Sequence, residues 1–339
     1  MSTRKINIGV VGATGVVGET FLNLLEERNF PVGDLKLFAS QQSLGKNRKF
    51  LDREIELQIL EESCMDGLDL VFFSSGDDIS QEWAPKAVAS GAYAVDNSAA
   101  FRMNPEIPLV VPEVNGSLLR ECRQPCIIAN PNCSTIQLVV AIHPLAQKFG
   151  LESVQVATYQ SVSGAGRDAI DELISSTGLA IEGEDLENAK YFPAPIAFNC
   201  VPQIGGIDDQ GFCTEELKIM RETKKILDLP QLSISAFTVR VPTLNAHAES
   251  VWVELKEDGI ERDSILGCLK NADGIEVLEN IKQYPTQKSV TGKNPTYVGR
   301  IHRDLNKANT WLMWVVSDNL RKGAALNGIQ IAEHIFDLI

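Results

Sequence analysis

A short β-branched run, Lys5 to Val11, leads into Gly12-Ala13-Thr14-Gly15-Val16-Val17-Gly18 and then a helical pattern from Glu19 to Glu27. Strand, glycine-rich turn and helix, in that order, are what a dinucleotide-binding unit requires. Glycine permits the tight turn and lets backbone approach a pyrophosphate, which sits at the positive end of the helix. The spacing here is GxxGxxG rather than GxGxxG, and a tight turn that binds nothing reads much the same way. The stronger constraint is on what can follow such a unit.

Strand-like Leu35 to Ala39, apolar Asp69 to Ser74, helical Trp83 to Ala89 and strand-like Tyr93 to Asp96 come next. Pro108 to Pro112 and Cys126 to Ala129 add further strand-like pieces. Strands alternating with helices predict a doubly wound, mostly parallel sheet with ligands at the carboxyl ends of its strands. Past about Phe149 the texture changes. Val154 to Ser161, Ser233 to Val241, Glu249 to Leu255 and Thr310 to Val316 are long runs rich in Val, Thr and aromatics. They suit a largely antiparallel or mixed sheet, with helices at Ala169 to Ala180, Glu215 to Leu227 and, as the tail, Gly323 to Leu338. The predicted fold class is α/β: a Rossmann-type doubly wound parallel sheet, then an α+β domain with a mixed sheet.

In NAD-binding units an acid usually follows the second strand and bonds the ribose 2′-OH. Here Leu35 to Ala39 ends in Ser40-Gln41-Gln42-Ser43, with Lys46, Arg48 and Lys49 beyond. No acid repels a 2′-phosphate, and hydroxyls and cations are at hand to bind one, which favours NADP. The plain alternative is a solvated loop.

Cys133 lies in Ala129-Asn130-Pro131-Asn132-Cys133-Ser134-Thr135, where a turn enters an apolar periodic stretch, Thr135 to Leu145. A cysteine at a helix N-terminus has its thiolate stabilised by the dipole and the unpaired N–H groups. A thiolate is a strong nucleophile near neutral pH; a buried, inert cysteine is the alternative. The seven cysteines are odd in number and scattered, unlike a disulfide framework. Cys122, Cys126 and Cys133 lack a fourth ligand at recognisable spacing, so no metal is expected. The net charge of −14 argues against nucleic acid or an anionic membrane as partner. Met1 to Asn7 has no apolar stretch of signal-peptide length, so a cytoplasmic protein is expected.

Four further pieces carry possible chemistry: Gln160-Ser161-Val162-Ser163-Gly164-Ala165-Gly166-Arg167, Glu215-Glu216-Leu217-Lys218, Arg240-Val241-Pro242, and His247 in Asn245-Ala246-His247-Ala248-Glu249. With GATGVVG, Asn97-Ser98-Ala99-Ala100-Phe101-Arg102, NPNCST and Asp318-Asn319-Leu320-Arg321-Lys322-Gly323-Ala324-Ala325, they resemble, in order, the aspartate-β-semialdehyde dehydrogenase family. That resemblance implies NADPH-dependent reduction of β-aspartyl phosphate to the semialdehyde and phosphate, on the route to lysine, methionine and threonine. It implies an NADP-binding domain over 1–132 completed by a C-terminal helix over 319–339, and a catalytic and dimerisation domain over 133–318. A cytoplasmic homodimer is expected.

Carried over residue by residue, Cys133 is the nucleophile, His247 the general acid/base, and Gln160 orients the acyl intermediate. Arg240 holds the substrate α-carboxylate and Glu215 its ammonium. Arg102 and Lys218 bind the phosphate, with Asn132 beside them. The cofactor contacts are Gly12, Thr14, Gly15, Val16, Val17, Ser40, Gln42, Ser43, Ser75, Gly76, Ser163, Gly164 and Asn319. The bland readings are a structural histidine at 247, surface ion pairs at Arg240 and Glu215–Lys218, and a helix-capping Arg102. Many bacterial relatives carry Arg where this chain has Gln42; Gln supplies no charge, leaving Lys46 or Arg48 for the 2′-phosphate. N-acetyl-γ-glutamyl-phosphate reductase shares the chemistry, but that family usually has Gly before the cysteine, where this chain has Asn132. A non-catalytic relative would usually lack the nucleophile.

Overall fold

The structure is a computed structural model that describes residues 4–184, 186 and 189–338. Met1 to Thr3 and Ile339, which the expected domain limits include, lie outside the described residues. The first elements are β1 (Ile6–Val11), α1 (Val16–Glu27), β2 (Val32–Phe38), β3 (Asn47–Phe50), β4 (Arg53–Gln58) and β5 (Leu70–Phe73). There follow α2 (Asp77–Ala89), β6 (Tyr93–Asp96), α3 (Pro112–Asn115), β7 (Ile127–Ala129), α4 (Cys133–Phe149) and β8 (Leu151–Gln160). Next are α5 (Arg167–Glu182), α6 (Thr214–Ile226), β9 (Ser233–Arg240), β10 (His247–Leu255), α7 (Arg262–Lys270) and β11 (Ile275–Val277). The chain closes with α8 (Gln287–Val290), β12 (Thr296–Arg303), β13 (Thr310–Ser317) and α9 (Leu326–Ile335). Two units form, one from Met1–Pro131 with Ala324–Ile339, the other from Asn132–Gly323.

The first unit carries a sheet in the order β3-β4-β2-β1-β5-β6-β7. Every pairing is parallel except β3 with β4. Parallel strands covered on both faces read as continuous apolar runs, and β5, Leu-Val-Phe-Phe, is buried at every position. The order runs outward from β1 to β2 on one side and to β5 on the other, the switch point where open α/β sheets bind ligands. Gly12 turns the chain at φ +80°, and a Cβ there would lie 2.6 Å from the Ser74 carbonyl oxygen. Ser74 Oγ donates to the Val11 carbonyl at 2.9 Å and braces the turn. Phe21 of α1 stacks on Phe72 of β5 with ring centroids 4.0 Å apart.

Two local expectations change. Lys46 stays in the connection, but Arg48 and Lys49 do not lie in a loop: Asn47 to Phe50 pairs antiparallel with Arg53 to Gln58, and β4 joins β2 through Leu37 and Leu57. The charged residues face water, so the hairpin carries too few apolar residues to announce itself. Pro108 to Pro112 forms no strand beyond a single bridge from Leu109 to Ala129. Proline has no N–H for a ladder, and Pro112 instead opens α3.

The second unit carries a mixed sheet in the order β11-β12-β13-β10-β8-β9. Pairs β8–β9 and β11–β12 are parallel and the rest antiparallel. Alternate residues turn inward under α4, α6 and α7. Register then aligns them in rows across β9, β8, β10 and β13. Ile234, Val154, Val253 and Trp311 form an apolar row of the core. At the far end of the same face the row is Arg240, Gln160, His247 and Ser317. The observed architecture is the expected one, a doubly wound sheet followed by a mixed α+β unit. Among the described residues no helix is long and apolar enough to cross a membrane.

Gly18 tests the glycine turn. Alanine normally gains about 1 kcal/mol over glycine inside a helix, but a Cβ at 18 would sit 2.3 Å from the Gly12 carbonyl oxygen. Overpacking should prevail, and Gly18→Ala is expected to destabilise the protein by about 1–3 kcal/mol. A urea titration checks this; an unchanged midpoint would show that the turn yields freely.

Candidate active site

Helix α4 begins at Cys133 itself, two residues before the apolar periodicity starts. Asn132 is its N-cap, with Oδ1 accepting from the Ser134 and Thr135 amides at 3.0 and 3.2 Å. Its carbonyl accepts from Ile136 N–H at 2.9 Å, and both its donors are engaged by α6. Its Nδ2 donates to Glu215 Oε1 at 2.8 Å, and its backbone N–H donates to Glu222 Oε2 at 2.7 Å. Opposite the cysteine, a Cβ on Gly323 would lie 3.0 Å from Cys133 Cβ, so glycine there leaves room around the thiol.

Arg240, Gln160 and His247 are direct cross-strand neighbours. The ring of His247 is fully buried. The Ser161 backbone N–H donates to its Nδ1 at 3.1 Å, so in the neutral ring the proton sits on Nε2. Nε2 finds no hydrogen-bond partner among the described residues. A Cβ on Gly164 would lie 3.1 Å from it and 3.1 Å from Arg240 Nη1; glycine keeps this space open. Burial, reinforced by the Arg240 guanidinium, pulls the His247 pKa down to about 3. The residue before it, Ala246, has φ +66°, a conformation costing non-glycine residues roughly 1–3 kcal/mol. Two carboxamides hold it there: Ala246 N–H donates to Asn319 Oδ1 at 2.9 Å, and Gln287 Nε2 donates to its carbonyl at 2.7 Å.

Arg240 Nη1 donates to the Ser161 carbonyl at 2.7 Å, and Glu215 and Cys133 act on it electrostatically. Glu215, Lys218 and Glu222 share a face of α6, as helical spacing dictates. Glu215 is buried, which alone would raise its pKa. Lys218, the Asn132 amide, Arg240 and the Gln160 amide outweigh burial, and the carboxyl lies below its ordinary range. Lys218 Nζ is 3.6 Å from Glu215 Oε2, and Gln160 Nε2 donates to Oε1 at 3.3 Å. The pair is therefore more than the surface contact that its spacing alone would suggest. Ser163 and Asn319 bond each other, Nδ2 of Asn319 donating to Ser163 Oγ at 3.0 Å, and Ser161 Oγ donates to Asn319 Oδ1 at 3.2 Å.

Directly behind this row, on the same face, the register places Thr238, Thr158, Glu249 and Val315, all fully buried. Among the described residues, neither oxygen of Glu249 has a hydrogen bond of ordinary geometry, nor do the Gln137 carboxamide atoms or the hydroxyls of Thr135, Thr158 and Thr238. A bare buried polar atom costs about 1–3 kcal/mol. Burial pushes the Glu249 carboxyl well above the usual carboxylate range, with only the Gln137 carboxamide favouring ionisation.

The first unit holds Arg102 and the remaining cofactor candidates. Arg102 is buried at the ends of β6 and β7, where Nε donates to the Asn130 carbonyl at 3.0 Å and Nη2 to the Asn97 carbonyl at 2.9 Å. Thr14, Gly15, Val16 and Val17 follow β1, while Ser75 and Gly76 follow β5. Gly15 and Gly76 cap α1 and α2 without any side-chain hydrogen bond, and the buried Ser75 Oγ has no hydrogen-bond partner among the described residues. Two uncapped helix starts and an orphaned hydroxyl on adjacent strands fit a dinucleotide's phosphates. Ser40, Gln42 and Ser43 lie at the turn after β2, where Arg48 Nη1 is paired with Glu19 at 2.7 Å. Among the described residues no group of three or more His, Cys, Asp or Glu side chains can hold a metal ion.

Four residues of the site escaped the sequence reading. Glu222 had a signal, seven residues after Glu215 on one helical face, and Glu249 had one, two residues after His247 on one strand face. Ala246 acts through backbone atoms, and Ser161 holds His247 Nδ1 with its backbone N–H, contacts that no side-chain pattern reveals.

The buried neutral imidazole predicts an acid sensitivity. Folded His247 has a pKa of about 3 against 6.5 for the free ring. Between these values the unfolded chain binds the extra proton, so stability falls as pH drops below about 6.5. From pH 7 to pH 5 this group should remove about 2 kcal/mol. Denaturant titrations of wild type and His247→Gln at both pH values check this; an equal pH dependence in the two proteins would contradict it.

Residues 7–122 match the family model for the semialdehyde dehydrogenase NAD binding domain, and residues 142–322 match that for the dimerisation domain. The chain is 44% identical over 342 residues to an aspartate-semialdehyde dehydrogenase of Bacillus subtilis (strain 168), covering 98% of each. It is 45% identical over 329 residues to that of Aquifex aeolicus (strain VF5), covering 96% of each. Among solved structures, it resembles aspartate semialdehyde dehydrogenase II of Vibrio cholerae complexed with ASA. The TM-score is 0.96, at 42% identity over 99% of each chain. With both domains matched and the similarity running nearly end to end, the chain belongs to the aspartate-semialdehyde dehydrogenase family.

Proposed function

We propose that the chain reduces β-aspartyl phosphate to aspartate β-semialdehyde and phosphate with NADPH, on the route to lysine, methionine and threonine, as a cytoplasmic homodimer. The observation that carries this is the row Arg240–Gln160–His247, joined through Glu215 and Asn132 to the start of the Cys133 helix. A planar guanidinium suits a bidentate grip on the substrate α-carboxylate. The ionised Glu215 suits its ammonium, a group that an N-acetylated substrate lacks. The dimerisation-domain match supports the assembly, and cysteines that form no disulfide among the described residues suit a reducing compartment.

The Cys133 thiolate, favoured by the α4 dipole, attacks the acyl phosphate carbonyl. Phosphate leaves, its charge met by Arg102 and Lys218, and a thioester remains on Sγ. A bound reduced nicotinamide dinucleotide supplies hydride chemistry. His247 holds its proton at Nε2, facing the space kept by Gly164, and donates it to the oxygen of the tetrahedral thiohemiacetal. Return of that proton to Nε2 accompanies release of the aldehyde and thiolate. Substrate carboxylate on Arg240 offsets the positive charge that depresses His247, so binding raises the ring's proton affinity. Gly12, Thr14 to Val17, Ser75 and Gly76 hold the cofactor's phosphates. Asn132 positions Cys133 and Glu215, while Ser163, Gly164 and Asn319 shape the space beside His247.

Phosphate-dependent reduction of NADP by aspartate semialdehyde tests the activity, with N-acetylglutamate semialdehyde as the competing substrate. Cys133→Ala should fold yet lose turnover. More than about a thousandth of the wild-type rate would refute covalent catalysis, given the ~10⁶-fold or greater acceleration typical of enzymes.

Cofactor choice gives a second test. No acid closes β2, Ser40 and Ser43 can donate hydrogen bonds, and Arg48 is engaged by Glu19. NADP is therefore preferred, but less than if Arg replaced Gln42, since charge-assisted bonds contribute about 1.5–3 kcal/mol against about 1 for neutral ones. Gln42→Arg should raise kcat/KM for NADP more than for NAD. Equal or better use of NAD by the wild type would overturn the assignment.

A further inference from the structure

Glu249 is a buried carboxyl in the rows of the mixed sheet that the mechanism leaves without a task. It shares a strand and a face with His247, two residues on, and pairs across the sheet with Thr158 on β8 and Val315 on β13. The one side chain that favours its ionisation is Gln137, which stands one helical turn after Cys133 on α4. Thr135 lies on the same helical turn as Cys133. Thr158 and Thr238 stand two residues before Gln160 and Arg240. Each member of this second row is thus tied by chain to a member of the first. None of the hydroxyls or carboxamide atoms of Thr135, Thr158, Thr238 and Gln137 is committed to another protein partner.

We propose that Glu249 is a positioning residue whose carboxyl group, with Gln137 and the cross-strand Thr158 hydroxyl, ties the strand starting at His247 to the helix starting at Cys133. A carboxylic acid can donate once and accept at both oxygens, so it can bridge a carboxamide and a hydroxyl together. Burial favours that neutral form. A glutamine of the same shape can do the same bridging, and an apolar chain of similar length cannot. The inference rests on the proposed acyl-transfer role of Cys133 and His247 only where turnover is the readout.

Glu249→Met and Glu249→Gln separate the possibilities. In a folded Met variant kcat should fall at least about tenfold, while KM for aspartate semialdehyde stays within about threefold. The Gln variant should recover kcat to within about threefold of wild type. Alkylation of Cys133 by iodoacetamide, followed by the mass of its own peptide, should slow in the Met variant and recover in the Gln variant. If wild type shows no phosphate-dependent turnover, the proposed function fails, and the alkylation rates still decide the role of Glu249. If Glu249→Met does not fold, Gln137→Leu removes the contact from the helix side and is held to the same criteria. Wild-type kcat and alkylation in a folded Met or Leu variant overturn the inference, as does a Gln variant that falls as far as Met.

Discussion

Three groups of Asn132 are held at once, and the placement of Cys133 depends on all three. The cap on α4 contributes about 1 kcal/mol and sets where the helix starts. The two bonds to Glu215 and Glu222 are charge-assisted and contribute about 1.5–3 kcal/mol each. They exceed the cap, so α6 governs the position of the turn. Glu215 also receives Gln160 and lies beside Lys218. The same carboxylate thus touches the loop that carries the thiol and the sheet row that faces it.

The sheet does the rest by register. Because inward positions recur every second residue, β9, β8 and β10 each bring their last or first inward residue to one line. Apolar rows beneath that line bind the helices; polar rows at its end make the site. Electrostatics follow from the order of the row. Arg240 lies near both Glu215 and His247, so one cation lowers the carboxyl's proton affinity and the imidazole's alike. The imidazole is then neutral, with a donor rather than a charge at Nε2.

The alternation of strands and helices before Phe149, and the Val- and Thr-rich runs after it, made the two sheets legible in the residues alone. Local helix starts were legible too, because Asn132 and the glycine turns leave chemical marks. The β3–β4 hairpin was not, since its inward residues are too few to form a pattern. Pro108 to Pro112 misled because apolar content suggested a strand where missing N–H groups forbid one. Within the site, side chains with one obvious chemistry could be named from motifs. The row that aligns Arg240, Gln160 and His247 could not be read, because register between distant strands is a property of pairing. Neither could the strained peptide at Ala246, whose conformation is imposed by Asn319 and Gln287 from outside the local chain.

The core of the first unit is completed by Leu326, Ile329, Ile331 and Ala332 of α9, and Arg28 of that unit closes on Glu333 at 2.6 Å. These residues leave the ribosome only after the whole of Asn132–Gly323 has been made. At about 5–20 residues per second, that interval is on the order of 10–40 s. The second unit is an unbroken stretch and has all its own strands before the first has its last helix. During that time the face of Phe72 against which Gly328 packs stands uncovered. Vectorial synthesis therefore reverses the order in which the two units mature, and the nascent chain carries an open apolar seam in the half that was made first.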